Sequence, residues 1–272
     1  MYHVLIPVDR DKNRALHQAK FVAEIPDAAE NVEATVLYVT RPGEKSEAEN
    51  ADFSAVDAAV EAAKHLESAD ISVNRVVDDG SPAEQILRSA NELGIDEIVV
   101  GGRKRSGVQK VLLGSTAQDV MLSAEQPVTI TGSDVSFGDR TGRLLLPVDR
   151  TAERARHQAE YVANHPAVTS DTEVTVLYVF PHQDYKGAPP HEFEEVESAV
   201  EAAEYLETEG VTVNRVATGG EVARTILDSA SDADVDWLVM GGRKRSGVQK
   251  VLLGSITQDV ILSGERPVTI TG

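Results

Sequence analysis

One stretch of this chain stands out chemically, the segment Gly101 to Ser115, GGRKRSGVQKVLLGS. It carries Arg103, Lys104, Arg105 and Lys110 and no acid, in a protein whose formal net charge is -19. Gly101, Gly102 and Gly107 allow a tight turn and close backbone approach. Gly114-Ser115 then opens a helical pattern. The first N–H groups of a helix lack intrahelical partners, and its dipole favours an anion there. Glycines, cations and a helix N-terminus together make a phosphate cradle. A structural reading competes with this one. Ser115-Thr116-Ala117-Gln118 has the form of a capping box, as does Ser255-Ile256-Thr257-Gln258, so Ser115 and Ser255 are expected to cap their helices. The cations could instead form a solvated patch or pair with acids of the other copy, but for the loop as a whole ligand binding ranks ahead of that reading.

The segment occurs twice. Gly241 to Ser255 repeats it unchanged, 140 positions on, and Asp9 recurs as Asp149 at that same offset. So do Val36-Leu37-Tyr38-Val39 as Val176 to Val179, and Pro127 to Gly132 as Pro267 to Gly272. The chain is one unit written twice, with domains expected at 1–132 and 143–272 and a polar, Gly-containing linker at 133–142.

Each unit alternates short apolar runs with helical spacing. In the first, strands are expected at Val4 to Val8, Val32 to Val39, Ile71 to Val77, Ile95 to Val100 and Val128 to Thr131. Helices are expected at Asn13 to Ile25, Phe53 to Leu66, Pro82 to Leu93 and Ser115 to Ala124. This alternation predicts an α/β fold, a five-stranded, mostly parallel sheet with helices on both faces of each copy. Ligands of such sheets bind beyond the carboxyl ends of the strands, where strand order reverses. With strand order 3-2-1-4-5, Asp9 and the Gly101 loop face one crevice. The last strand is short and lies at a sheet edge, so Val128 to Thr131 is expected to pair with Val268 to Thr271 and join the copies as an intramolecular pseudo-dimer.

Composition excludes several functions. The acidic balance disfavours nucleic acid, and no apolar run is long enough for a membrane span. The N-terminus enters a strand pattern with no signal-like segment, which suits a cytoplasmic protein. Zero cysteines remove disulfides and thiol chemistry. An acidic surface in which Arg outnumbers Lys suggests a high-salt cytoplasm, such as that of a halophilic archaeon; an ordinary acidic bacterial protein is the alternative. No His/Asp/Glu cluster has metal-ligand spacing, and no nucleophile elbow or Walker A sequence occurs. His17 and His157 read as helix-surface residues. The stretches Glu44 to Asp52 and Gly187 to Pro190 read as loops, candidate lids over the crevice.

With an Asp closing the first strand, a Val closing the second and a glycine loop after the fourth, both copies resemble the universal stress protein family. The resemblance implies two tandem flavodoxin-like domains of the adenine nucleotide alpha hydrolase-like kind, paired through their last strands, with a further homodimer open. It also implies an adenine nucleotide, ATP or AMP or ADP, as cofactor, with Mg²⁺ only for a triphosphate. Carried over by position, Asp9 and Val39 would line the base pocket, and Gly101 with adjacent Gly102, Gly114 and Ser115 would hold ribose and phosphates. The second copy would use Asp149, Val179, Gly241, Gly242, Gly254 and Ser255. The family's second motif glycine is replaced by Lys104, and by Lys244 in the other copy, which either adds a phosphate contact or obstructs the loop. Three functions follow in order: a regulatory nucleotide-binding protein without efficient catalysis, an interaction scaffold for a protein partner or inorganic anion, and a weak ATPase or nucleotidyl transferase. The last ranks lowest because no positioned base or nucleophile is found.

Overall fold

A computed structural model describes residues 1–40, 52–104, 111–132, 142–181, 191–245 and 248–271. The first repeat runs β1 (Tyr2–Val8), α1 (Lys12–Ala23), α2 (Ala28–Asn31), β2 (Val32–Thr40), α3 (Asp57–Glu67), β3 (Ser72–Asp79), α4 (Pro82–Glu92), β4 (Glu97–Gly101), β5 (Arg103–Lys104), β6 (Val111–Leu112), α5 (Ser115–Ser123) and β7 (Val128–Thr131). The second runs β8 (Arg143–Pro147), α6 (Ala152–Asn164), β9 (Glu173–Pro181), α7 (Glu197–Thr208), β10 (Thr212–Gly220), α8 (Val222–Asp232), β11 (Trp237–Gly241), β12 (Arg243–Arg245), β13 (Val248–Leu252), α9 (Ser255–Ser263) and β14 (Val268–Thr271).

The long strands form one ten-stranded sheet in the order β10-β9-β8-β11-β14-β7-β4-β1-β2-β3. Within each repeat the order is the expected 3-2-1-4-5, all parallel. The repeats join where β7 meets β14 antiparallel, Ile130 opposite Val268 and Thr129 opposite Thr269. Pairing the two short edges satisfies backbone groups that each repeat alone would leave exposed.

Side chains alternate across the strands, as a two-residue period requires. Val4, Ile6 and Val99 point to one face, beneath α1, α3, α6 and α7. Leu5, Ile98 and Val100 point to the other, beneath α4, α5, α8 and α9. Both cores run unbroken through the repeat junction. Ala58, Ala59, Ala62 and Ala63 let α3 lie close against α1 and the sheet, all fully buried. The aromatic-poor composition is therefore packed through small residues rather than bulky ones.

Three expectations need correcting. The helix read at Phe53 to Leu66 is broken: a 3-10 turn at Phe53–Ala55 precedes α3, and Phe193–Glu195 precedes α7 in the same way. Asp52 accepts from the Ser54 N–H and ends the turn's hydrogen-bond deficit there. The glycine segment opens and closes as a two-stranded antiparallel ribbon, with Arg103 opposite Leu112 and Lys104 opposite Val111. Finally, Ser115 and Ser255 do not cap their helices. They are the first helical residues, the caps are Gly114 and Gly254, and no side-chain cap bond is made at either. The capping boxes fail by this shift of one position. Of the loops read as lids, 41–51 and 182–190 lie outside the described residues, as does 133–141 of the linker.

Candidate functional site

Strands β1 and β4 pair only through Val4–Glu97 and Leu5–Ile98, then separate. Gln18 of α1 spans the opening. Its amide donates to Pro7 O and Val99 O, each at 2.8 Å, and the side chain is buried. Gln158 repeats both bonds in the second copy. Two carbonyls that a continued ladder would have used are thus satisfied, and the strands are held apart at their carboxyl ends.

A cavity of about 330 Å³ lies at this opening in the first repeat. Asp9, Val39, Gly101, Gly114 and Ser115 all line it, together with Arg10 and Arg14. Five of the residues read from the sequence are therefore brought to one place. Gly102 is not among the lining residues; its N–H donates to Thr131 O at 3.1 Å and anchors the start of the ribbon to β7. The side chain of Lys104, like that of Lys244, lies outside the described residues. In the second repeat Asp149 follows β8, Val179 lies in β9, Gly241 ends β11, Gly242 N–H donates to Thr271 O, and Gly254 precedes Ser255 at the start of α9. A groove of about 240 Å³ there is lined by Arg150, Ala152 and Glu195 to Ser198, beside those positions rather than among them.

The main residue that sequence reading missed is Arg14. Its guanidinium pairs with Asp9 Oδ2 and, at 2.8 Å, with Asp11 Oδ2. Its stem crosses Gly101, where an added Cβ would overlap Cγ and Cδ. Arg154 does the same in the second repeat, pairing with Asp149 and covering Gly241, and its Nε donates to Gly242 O at 3.1 Å. The available signal was an arginine five residues after the Asp in both copies. Asp11 also caps α1. Burial alone would raise its carboxyl, but the bonds from Arg14 outweigh this and hold it below the ordinary carboxylate range. Arg10 Nε donates to Tyr38 OH at 3.1 Å and Arg150 Nε to Tyr178 OH at 2.9 Å, so the mouth of each crevice carries an anchored cation.

The universal stress protein family model matches residues 1–132 and 141–272. The chain belongs to the universal stress protein family. It is a tandem member, with two family units fused into one ten-stranded sheet. A universal stress protein of Mycobacterium bovis is 26% identical over 228 residues, 78% of this chain and 74% of that one. The solved structure of a universal stress protein from Archaeoglobus fulgidus shares the fold, with a TM-score of 0.75 at 21% identity over 99% of this chain and 98% of that one. Another universal stress protein from Archaeoglobus fulgidus has been solved in complex with dAMP; it is 23% identical, with a TM-score of 0.37, over 47% of this chain and 96% of that one. No helix among the described residues is long and apolar enough to cross a membrane.

Proposed function

We propose that this universal stress protein is a cytoplasmic, stress-response regulator that binds an adenine nucleotide, or a related anion, in the crevice of each repeat without efficient catalysis. Its domains are then 1–132 and 143–272, joined by 133–142. The observation that carries this reading is the first-repeat cavity, which gathers Asp9, Val39, Gly101, Gly114 and Ser115 around about 330 Å³. Volumes of about 300–1,000 Å³ suit small ligands. The lack of a side-chain cap at α5 supports the phosphate assignment, because no side chain occupies the first N–H groups and the first turn, Gly114 to Ala117, lines the cavity. Among the described lining residues the carboxylates are Asp9 and Asp11, and both are held by Arg14. Carboxylates paired in this way are weaker proton acceptors, which favours binding over turnover. Mg²⁺ enters only with a triphosphate.

Calorimetry with ATP, ADP and AMP, with and without Mg²⁺, at low and multimolar salt, tests this. Heat of binding for at least one of them is expected. No heat on well-folded protein turns the assignment to the interaction scaffold, which the motif interruption at Lys104 and Lys244 favours. Lys104→Gly with Lys244→Gly then reads the lysines: tighter binding means obstruction, weaker binding a phosphate contact.

A further inference from the structure

The nucleotide reading sets the base against Asp9, yet Asp9 already has two partners. Its Oδ1 accepts from the Asp11 N–H at 2.9 Å, and its Oδ2 accepts from Arg14. Asp149 is engaged identically, by the Thr151 N–H at 2.9 Å and by Arg154. Each arginine also fills the space left by the first loop glycine. The close approach that Gly101 permits is thus used by a side chain of the protein itself. Arg14 lies in the first turn of α1, where a cation opposes the helix dipole. Local helix preference does not explain it. Three of the four intervening positions have diverged between repeats, from Asp11, Lys12 and Asn13 to Thr151, Ala152 and Glu153, while Asp9, Arg10 and Arg14 recur as Asp149, Arg150 and Arg154.

We infer that Arg14 and Arg154 are specificity-determining residues that make each crevice read phosphate more than base. The inference rests on the nucleotide reading above. A lone carboxylate beyond a strand end selects a base carrying an amino donor, with the strength of a hydrogen bond to a charged group. Once paired with a guanidinium, that carboxylate has its charge matched, and an amino group must compete with a fixed cation for it. Bases are then poorly distinguished at this end. Gly114 and Ser115, at the phosphate end, line the cavity.

Calorimetry on the full chain with AMP, IMP and UMP tests this, since only the base of AMP carries an amino group. The wild-type protein is expected to bind all three within about threefold of one another. Arg14→Met with Arg154→Met keeps an apolar stem over each glycine but frees the carboxylate, and should favour AMP by about tenfold. Adding Asp9→Asn and Asp149→Asn should erase that preference. Should the Met pair not fold, by circular dichroism, Arg14→Lys with Arg154→Lys keeps the charge with fewer donors and should give an intermediate preference for AMP. A wild-type preference for AMP of about tenfold or more, or variants that gain none, overturns the inference while leaving the nucleotide reading intact. Silence of all three, and of ATP and ADP with and without Mg²⁺, on wild type and variants removes both.

Discussion

Glu97 and His165 meet at 3.0 Å although they belong to different repeats, and both side chains are wholly buried. Glu97 also accepts from Tyr2 OH at 3.0 Å and from Thr129, whose hydroxyl bonds that of Thr269 across the junction. Trp237 Nε1 donates to Thr269 at 2.7 Å. At the shared repeat offset Glu97 corresponds to Trp237, His165 to Ile25 and Tyr161 to Phe21. The pseudo-twofold junction is therefore chemically asymmetric at its centre, and the polar network forms between unlike repeats.

Breaking this pair should be expensive. His165→Leu leaves Glu97 buried without one partner and is expected to cost about 3 kcal/mol. Glu97→Leu with His165→Leu should lose less than the sum of the single changes, with coupling of about 1–3 kcal/mol. Urea unfolding of the four proteins measures it; additive losses would show that the two side chains act separately.

Alkaline pH should weaken the same region. Burial first, and then the charge of Glu97, push the Tyr2 and Tyr161 hydroxyls well above the ordinary value of 10.0. A raised folded-state value means stability is full below the unfolded value and falls as pH rises beyond it, because only the unfolded chain readily releases the proton. Tyr161→Phe, which installs the residue of the other repeat, should flatten the decline in urea midpoint above pH 10.0. An unchanged slope would assign the decline to other groups.

In acid the sign reverses. Asp11 is held below its ordinary value of 3.8 by Arg14, so its contribution is present above that pH and is lost as pH falls through the lowered value. Asp11→Asn should be less stable than wild type near neutrality, and the gap should close as the medium is acidified. Urea midpoints across the acid range check this, and a gap independent of pH would locate the effect in the helix cap instead.

Gly101→Ala places a methyl group against the Arg14 stem. The expected loss is about 1–3 kcal/mol, typical of overpacking. Arg14→Ala in the same protein should remove most of the penalty, because the obstructing atoms are gone. Thermal or urea unfolding of the double-mutant cycle decides it, and an undiminished loss would place the strain in the backbone.

Ser115→Ala separates capping from binding. Removing a true cap costs about 1 kcal/mol, whereas Ser115 makes no cap bond. Stability should change by less than about 0.5 kcal/mol, while nucleotide affinity should fall. A full capping loss in urea would reverse the assignment of Gly114 as the cap.

Much of the architecture was legible in the residues. The two-residue period of Val4 to Val8 and the helical spacing that follows are local properties, and a repeat at one offset reports them twice. Asp9 and Gly101 could be assigned to strand ends because strand ends are set by such patterns. The first-repeat cavity does gather both with Val39, Gly114 and Ser115. Which atoms Asp9 touches was not legible. Nothing in the local pattern singles out Arg14, and only the separation of β1 from β4 beside Gly101 gives its stem a place to lie. Glu97 and His165 were hidden for a similar reason. Their meeting depends on the antiparallel union of β7 with β14, which brings together side chains 68 positions apart. Periodicity along the chain determined the sheet, its doubling and the end where a ligand would bind. Contacts between the repeats and across the opened strands depend on three-dimensional juxtaposition, so the tertiary structure alone decided the ion pairing in the crevice and the asymmetry of the junction.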